Sequence, residues 1–173
     1  MQSITEGSLT FEFPDDWQIT KYDDWEFYRN KFIKIQNGLK ALDILAIDAS
    51  KTLWFIEVKD YRQNKRTKSI DLADEIALKV LYTLASLLPA KLSTLSNNPN
   101  EKNFAQNALQ AKEIKIVLHL EQVIKQSKLR PRAINSIDIK EKLRAKLKAI
   151  DSHPLVVEMA NMQNLLWTVS NTT

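Results

Sequence analysis

Three charged residues interrupt the two most apolar stretches of the chain: Asp43 within Ala41-Leu-Asp-Ile-Leu-Ala-Ile47, and Glu57 and Lys59 within Leu53-Trp-Phe-Ile-Glu-Val-Lys59. Carboxylates and ammonium groups are costly to bury, so charges embedded in such runs need a reason. Side chains alternate along a strand, which puts Glu57 and Lys59 on one face. If the two runs form a hairpin whose paired residue numbers sum to 100, Asp43 lies opposite Glu57 and Ala49-Ser50-Lys51 makes the connection. A slip of one residue would send Asp43 to the other face. Facing carboxylates repel unless positive charge sits between them. Lys59 supplies one such charge, and a hard divalent cation (Mg²⁺ or Mn²⁺) would supply more, taking carboxylates, waters and phosphate oxygens as ligands. A metal held there would polarise a phosphoryl oxygen and generate a nucleophilic water, with the ammonium stabilising developing charge. The other reading of the same three residues is a structural ion pair at a strand edge.

The elements that must position these groups follow from periodicity. The two apolar runs read as buried strands, with Gln-Asn-Gly38-Leu as a turn leading into the first. From Asp71 to Leu88 the period becomes helical, with Leu72, Ile76, Val80, Leu84, Leu87 and Leu88 on one stripe and Pro89 following the end. Asp71, Asp74 and Glu75 suit the positive end of that helix. A short helix is expected over Glu101 to Ala111, a third strand over Ile114 to Leu120, irregular chain over Lys128 to Ser136 and a helix over Asp138 to Ile150. Two further strands are expected at Leu155–Met159 and Leu165–Val169, another at Ser8–Pro14, and a helix over Asp24 to Phe32. This order predicts an α/β fold, a mixed central sheet flanked by helices, as one domain over residues 1–173.

Asp43 followed fourteen positions later by Glu57-Val-Lys59, on adjacent strands of a mixed α/β fold, resembles the PD-(D/E)XK nuclease superfamily, the restriction endonuclease-like and Holliday-junction resolvase-like fold. The resemblance covers about residues 23–120 and departs from the pattern at Leu42, where the family often has proline. It implies a restriction endonuclease-like core and a magnesium-dependent hydrolase, an endonuclease acting on DNA. Asp43 and Glu57 would be metal ligands and Lys59 the catalytic lysine. Glu26 would be an added metal ligand from the first helix, with Asp23 and Asp24 close behind.

Charge distribution points to a polyanionic partner. Residues 1–27 hold seven acidic groups and one basic group, which leaves 24 basic against 14 acidic side chains in the remainder. Candidate nucleic-acid contacts are Arg62, Lys65, Arg66 and Lys68 after the second strand, and Lys140, Arg144 and Lys148 at four-residue spacing on the last helix, with Lys128, Arg130 and Arg132 upstream. Each set also reads as a solvated face. Lys79 reads either as a phosphate contact or as a lysine laid along apolar surface with its head in water. Trp25, Tyr28 and Phe32, at helical spacing, are expected in the core rather than stacked on bases, and His119 reads as a satisfied strand histidine. The absence of cysteine excludes disulfides and thiolate chemistry, two histidines cannot build a usual zinc site, and two glycines make no phosphate-cradling loop. No secretory signal or membrane span is legible, so a cytoplasmic protein without a membrane partner is expected. The expected function is a DNA nuclease, with a second copy of the chain as a candidate partner. The alternatives are a catalytically silent nucleic-acid-binding or accessory subunit and an unrelated interaction protein.

Overall fold

The computed structural model describes residues 1–64, 66–93, 98–123 and 134–172. Eight strands and four α-helices lie among them: β1 (Gln2–Glu6), β2 (Leu9–Phe13), β3 (Gln18–Lys21), α1 (Glu26–Asn30), β4 (Ile44–Ile47), β5 (Thr52–Asp60), α2 (Leu72–Leu92), α3 (Pro99–Ala108), β6 (Glu113–Glu121), α4 (Ser136–Leu147), β7 (Leu155–Val157) and β8 (Thr168–Asn171). The mixed α/β class is as expected, but there are two sheets rather than one. A five-stranded sheet runs β3-β4-β5-β6-β7 and a three-stranded antiparallel sheet runs β1-β2-β8.

The expected hairpin register holds, with Ile44 opposite Ile56 and Ile47 opposite Leu53. Its connection is closed by Asp48, whose carboxylate accepts from Ser50 Oγ at 2.7 Å and the Thr52 N–H at 2.9 Å, and Lys51 adopts a left-handed φ of 68°. β6 joins β5 in parallel and β7 joins β6 in parallel. Such pairs need crossovers, which α2 with α3, and then α4, supply. Asn98, Asn135 and Asp71 cap these helices by accepting backbone N–H groups of the first turn.

The five-stranded sheet buries both faces. Leu45, Leu53, Phe55, Ile116 and Leu118 pack with the helices through Ile76, Val80, Leu87, Phe104 and Leu143. Ile44, Ala46, Ile56, Val58 and Val117 pack beneath the small sheet against Phe11, Phe13, Trp17 and Trp167. Asp43, Glu57 and Lys59 share parity with the helix-facing residues of their strands, so the charged group lies under α2.

Several expectations need correction. β1 and β3 were not expected. The β1–β2 turn is the pair Gly7-Ser8, with glycine at φ 58°, where a side chain would be strained. The last strand begins at Thr168 and pairs with β2, not with the central sheet. Pro89 lies inside α2. It removes one hydrogen bond to the Ala85 carbonyl, but both residues face solvent, so water can satisfy that carbonyl while buried Ala90 continues the packing. The expected helix at Asp24–Phe32 is one short turn, α1, between two 3₁₀ turns. Lys65, Lys128, Arg130 and Arg132 lie outside the described residues. Among the described residues, no helix is long and apolar enough to cross a membrane.

Candidate functional site

Asp43 and Glu57 do meet, and the cation between them comes from α2. Lys79 Nζ lies 2.6 Å from Glu57 Oε1 and 3.2 Å from Asp43 Oδ1. Lys59 donates to the same Glu57 oxygen, and the Val58 N–H donates to Asp43 Oδ2 at 2.7 Å. Glu57 is 0% exposed and its Oε2 has no partner among the described residues. The four groups, two carboxylates and two ammoniums, are formally neutral together.

Burial drives the Glu57 carboxyl up, with repulsion from Asp43 adding to it; against the pull of Lys79 and Lys59 it settles at about 7. Burial alone would lower the pKa of Lys79, but Glu57 and Asp43 more than reverse this, so its ammonium is held charged. Lys79 is therefore neither a snorkelling lysine nor an exposed phosphate contact: it is 8% exposed and occupies the space between the carboxylates. Its signal in the sequence was the set Glu75, Lys79, Thr83 and Ser86, polar residues at spacings of 4, 4 and 3 on the buried side of an apolar helix. Thr83 Oγ1 accepts the Leu42 N–H at 3.1 Å, and Ser86 is hydrogen-bonded to the Tyr22 hydroxyl. α2 thus carries a polar spine that receives the ends of the neighbouring elements.

A second acidic group adjoins the first. One oxygen each of Glu6, Asp23 and Asp43 lies within 4.8 Å of the others. Glu6 pairs with Lys21 at 2.8 Å, whereas Asp23 Oδ1 is shielded from water and without a partner among the described residues. Burial, then Glu6 and Asp43, push the Asp23 carboxyl up to about 6 against the pull of Lys21. Glu26 is not in this group. Its backbone N–H donates to Glu101 Oε1 at 2.7 Å at the start of α1, and its side chain is exposed. The acidic residues that the N-terminal segment brings beside Asp43 are Glu6, at the end of β1, and Asp23, in the 3₁₀ turn after β3.

Most of the expected nucleic-acid contacts after β5 are engaged within the protein. Arg62 donates to both oxygens of Asp60, at 2.9 and 2.6 Å, and to Asn171 Oδ1 at 2.6 Å, tying β5 to β8. Arg66 donates to Glu75 Oε2 at 2.7 Å, and Lys68 to Glu75 Oε1. Burial opposes ionisation of Glu75, but Lys68 and Arg66 outweigh it and hold the carboxyl at about 2. Lys40 is exposed, and its pKa is lowered chiefly by repulsion from Lys68, so positive charge is crowded at this edge.

α4 differs. Lys142 and Lys146 are taken up by Asp71 at 2.7 Å and Asp74 at 2.5 Å, fastening α4 to the start of α2. Arg144 and Lys148 are exposed and Lys140 is half-buried, and among the described residues none of the three has an acidic partner. Four-residue spacing sets them about 6 Å apart along the helix. Trp25, Tyr28 and Phe32 are buried, as expected. His119 meets Glu121 at 3.0 Å through Nε2, burial lowers its pKa, and its Nδ1 is enclosed without a partner among the described residues, so it is only half satisfied.

No family model matches the chain, and no solved structure matches it. A curated protein does: a cysteine–tRNA ligase of Neisseria meningitidis serogroup A / serotype 4A is 33% identical over 217 residues. The match takes in the whole of this chain but only 30% of the ligase, so the chain spans less than a third of the relative's length. That relationship overturns the resemblance to the PD-(D/E)XK nucleases, together with the nuclease and hydrolase function drawn from it. The resemblance rested on three charged residues, too few to identify a family, and Lys79 gives their burial a structural cause. The chain is similar over its full length to part of a tRNA ligase.

Proposed function

We propose that this chain is a tRNA-binding module that holds the RNA backbone on the outer face of α4. The observation that carries the reading is the match of the entire chain to part of a cysteine–tRNA ligase. Support comes from Lys140, Arg144 and Lys148, which have no acidic partner among the described residues, while their neighbours Lys142 and Lys146 are consumed by ion pairs. Exposed Lys40, beside the Arg66–Glu75–Lys68 group, adds one further positive charge. Contacts of this kind hold phosphates and fix orientation rather than read bases.

A divalent cation, Mg²⁺ or Mn²⁺, is part of the proposal, with Glu6, Asp23 and Asp43 as its protein ligands. Hard oxygen donors suit it, and unpartnered Asp23 Oδ1 is the free donor. When bound it would supply positive charge for a phosphate oxygen. The Asp43–Glu57 pair does not fit that role, because Lys79 already lies between the two carboxylates. A second copy of the chain is also proposed as a partner.

The test is fluorescence anisotropy with labelled tRNA, repeated over a salt series and with a DNA duplex as competitor. The expected result is binding that weakens as salt rises. The triple substitution Lys140→Glu, Arg144→Glu, Lys148→Glu should weaken binding and flatten the log–log salt dependence by about 0.7–0.9 per lost contact. Absence of tRNA binding at low salt, equal affinity for the triple variant, or preference for the DNA duplex would overturn the reading.

A further inference from the structure

α2 is apolar on both of its sides. One side, with Ile76, Val80 and Leu87, packs into the core. On the other, Leu78, Leu81, Leu88 and Leu92 are 40%, 49%, 53% and 63% exposed, and Ala85 between them is exposed as well. A continuous apolar patch on a surface marks an interaction site. The exposed residues step by 3, 4, 3 and 4 positions from Leu78 to Leu92. That alternation is the seam spacing by which one helix packs against another of the same kind.

We infer that this seam is where a second copy of the chain docks, with the two α2 helices antiparallel. The surface is self-complementary, as a two-fold contact requires. In the antiparallel register Leu78 faces the other copy's Leu88, and Leu81 faces its Ala85, whose small side chain admits close approach. Charge selects the same orientation. The first turn of α2 carries Asp74 and Glu75 and the last carries Lys91, so antiparallel packing brings Lys91 of each copy towards Asp74 of the other. Asp74 already meets Lys146, so Lys91 adds to an existing pair. The two helix dipoles also oppose, whereas a parallel pair would align them and place like ends together. No charged side chain lies on the exposed seam itself, since Lys79 turns inward to Asp43 and Glu57, so the seam has nothing to offer an RNA backbone. This inference does not depend on the tRNA reading: α2 and the basic row of α4 can fail separately.

Sedimentation equilibrium of the whole chain from roughly micromolar to hundreds of micromolar should give twice the 20.0 kDa chain mass. Leu81→Glu with Leu88→Glu should weaken the dimer on the order of 100-fold or more while leaving the circular dichroism spectrum and tRNA affinity per chain unchanged. The chain has no cysteine, so Leu81→Cys and Ala85→Cys proteins, mixed and oxidised, report the register directly. A cross-link between the two different proteins is expected. A wild-type monomer at every concentration, a dimer that survives the double substitution, or cross-linking of Leu81→Cys only to itself would each overturn the proposal. Binding of a wild-type monomer to phosphatidylcholine vesicles through the same leucines would assign the seam to a lipid surface instead.

Discussion

Replacing Lys79 by methionine isolates the buried charge network. The side chains are similar in length, so the change removes charge and hydrogen bonds with little change in volume. It leaves Asp43 and Glu57 with Lys59 as the sole ammonium, and the formal charge of the group falls from zero to −1. Removing one partner of a buried ion pair costs about 3–5 kcal/mol. In a protein of 173 residues each kcal/mol moves the melting temperature by roughly 2–4 °C, so a fall of roughly 6–20 °C is expected at pH 8. The deficit must depend on pH. Glu57 already has its carboxyl raised to about 7 against the pull of Lys79, and losing that pull raises it further. A group raised above its unfolded value of 4.5 contributes stability that is complete below that pH and lost as pH climbs through the folded pKa. Wild type and variant share this loss up to pH 7 and diverge only above it, at up to about 1.4 kcal/mol per pH unit, so the deficit at pH 5.5 should be smaller than at pH 8 by up to about 1.4 kcal/mol. Lys79→Met combined with Glu57→Gln should recover much of the loss at pH 8, because no uncompensated Glu57 charge remains. The assay is thermal and urea unfolding of the three proteins at pH 5.5 and 8. A Lys79→Met protein that melts within 2 °C of wild type at pH 8, or whose deficit is the same at both pH values, would refute the reasoning.

Glu75 makes the opposite pH prediction: its carboxyl is held at about 2, so its contribution is present above 4.5 and lost as pH falls towards 2, and Glu75→Gln should lack that part of the acid slope in urea titrations. Trp167 is 1% exposed, with its ring centroid 5.2 Å from that of Trp54 and 5.5 Å from that of Phe13, so Trp167→Ala should cost about 3–5 kcal/mol in urea unfolding and loosen the small sheet from the large one. Millimolar Mg²⁺ should raise the melting temperature of the wild type and leave that of Asp23→Asn unmoved; equal shifts in both proteins would remove Asp23 from the donor set.

Much of the core was legible because short-range patterns carry it. Short apolar runs bounded by polar residues placed β4 and β5, and alternation placed β6. The two-residue period of a strand set the facing of Glu57 and Lys59, and a short connection at Ala49-Ser50-Lys51 fixed the hairpin register. Helical spacing placed α2 and α4 and most of the buried side of each, but Leu88, expected on the buried stripe of α2, is 53% exposed. What was not legible is non-local. β1, β2 and β8 form a sheet because residues 9–12 pair with residues 168–171, and no local period reports a partner so distant along the chain. The reason for two carboxylates in apolar strands lay on α2, 22 residues beyond Glu57, where Lys79 looked like an ordinary helix lysine until folding brought it between them. The same limit put Glu26 ahead of Asp23 among the N-terminal candidates, since one turn of chain separates exposed Glu26 from Asp23 beside Asp43. Residue types and periods state which face is buried; only packing states which charges that burial brings together, because Coulomb energy depends on distance in space and not along the chain.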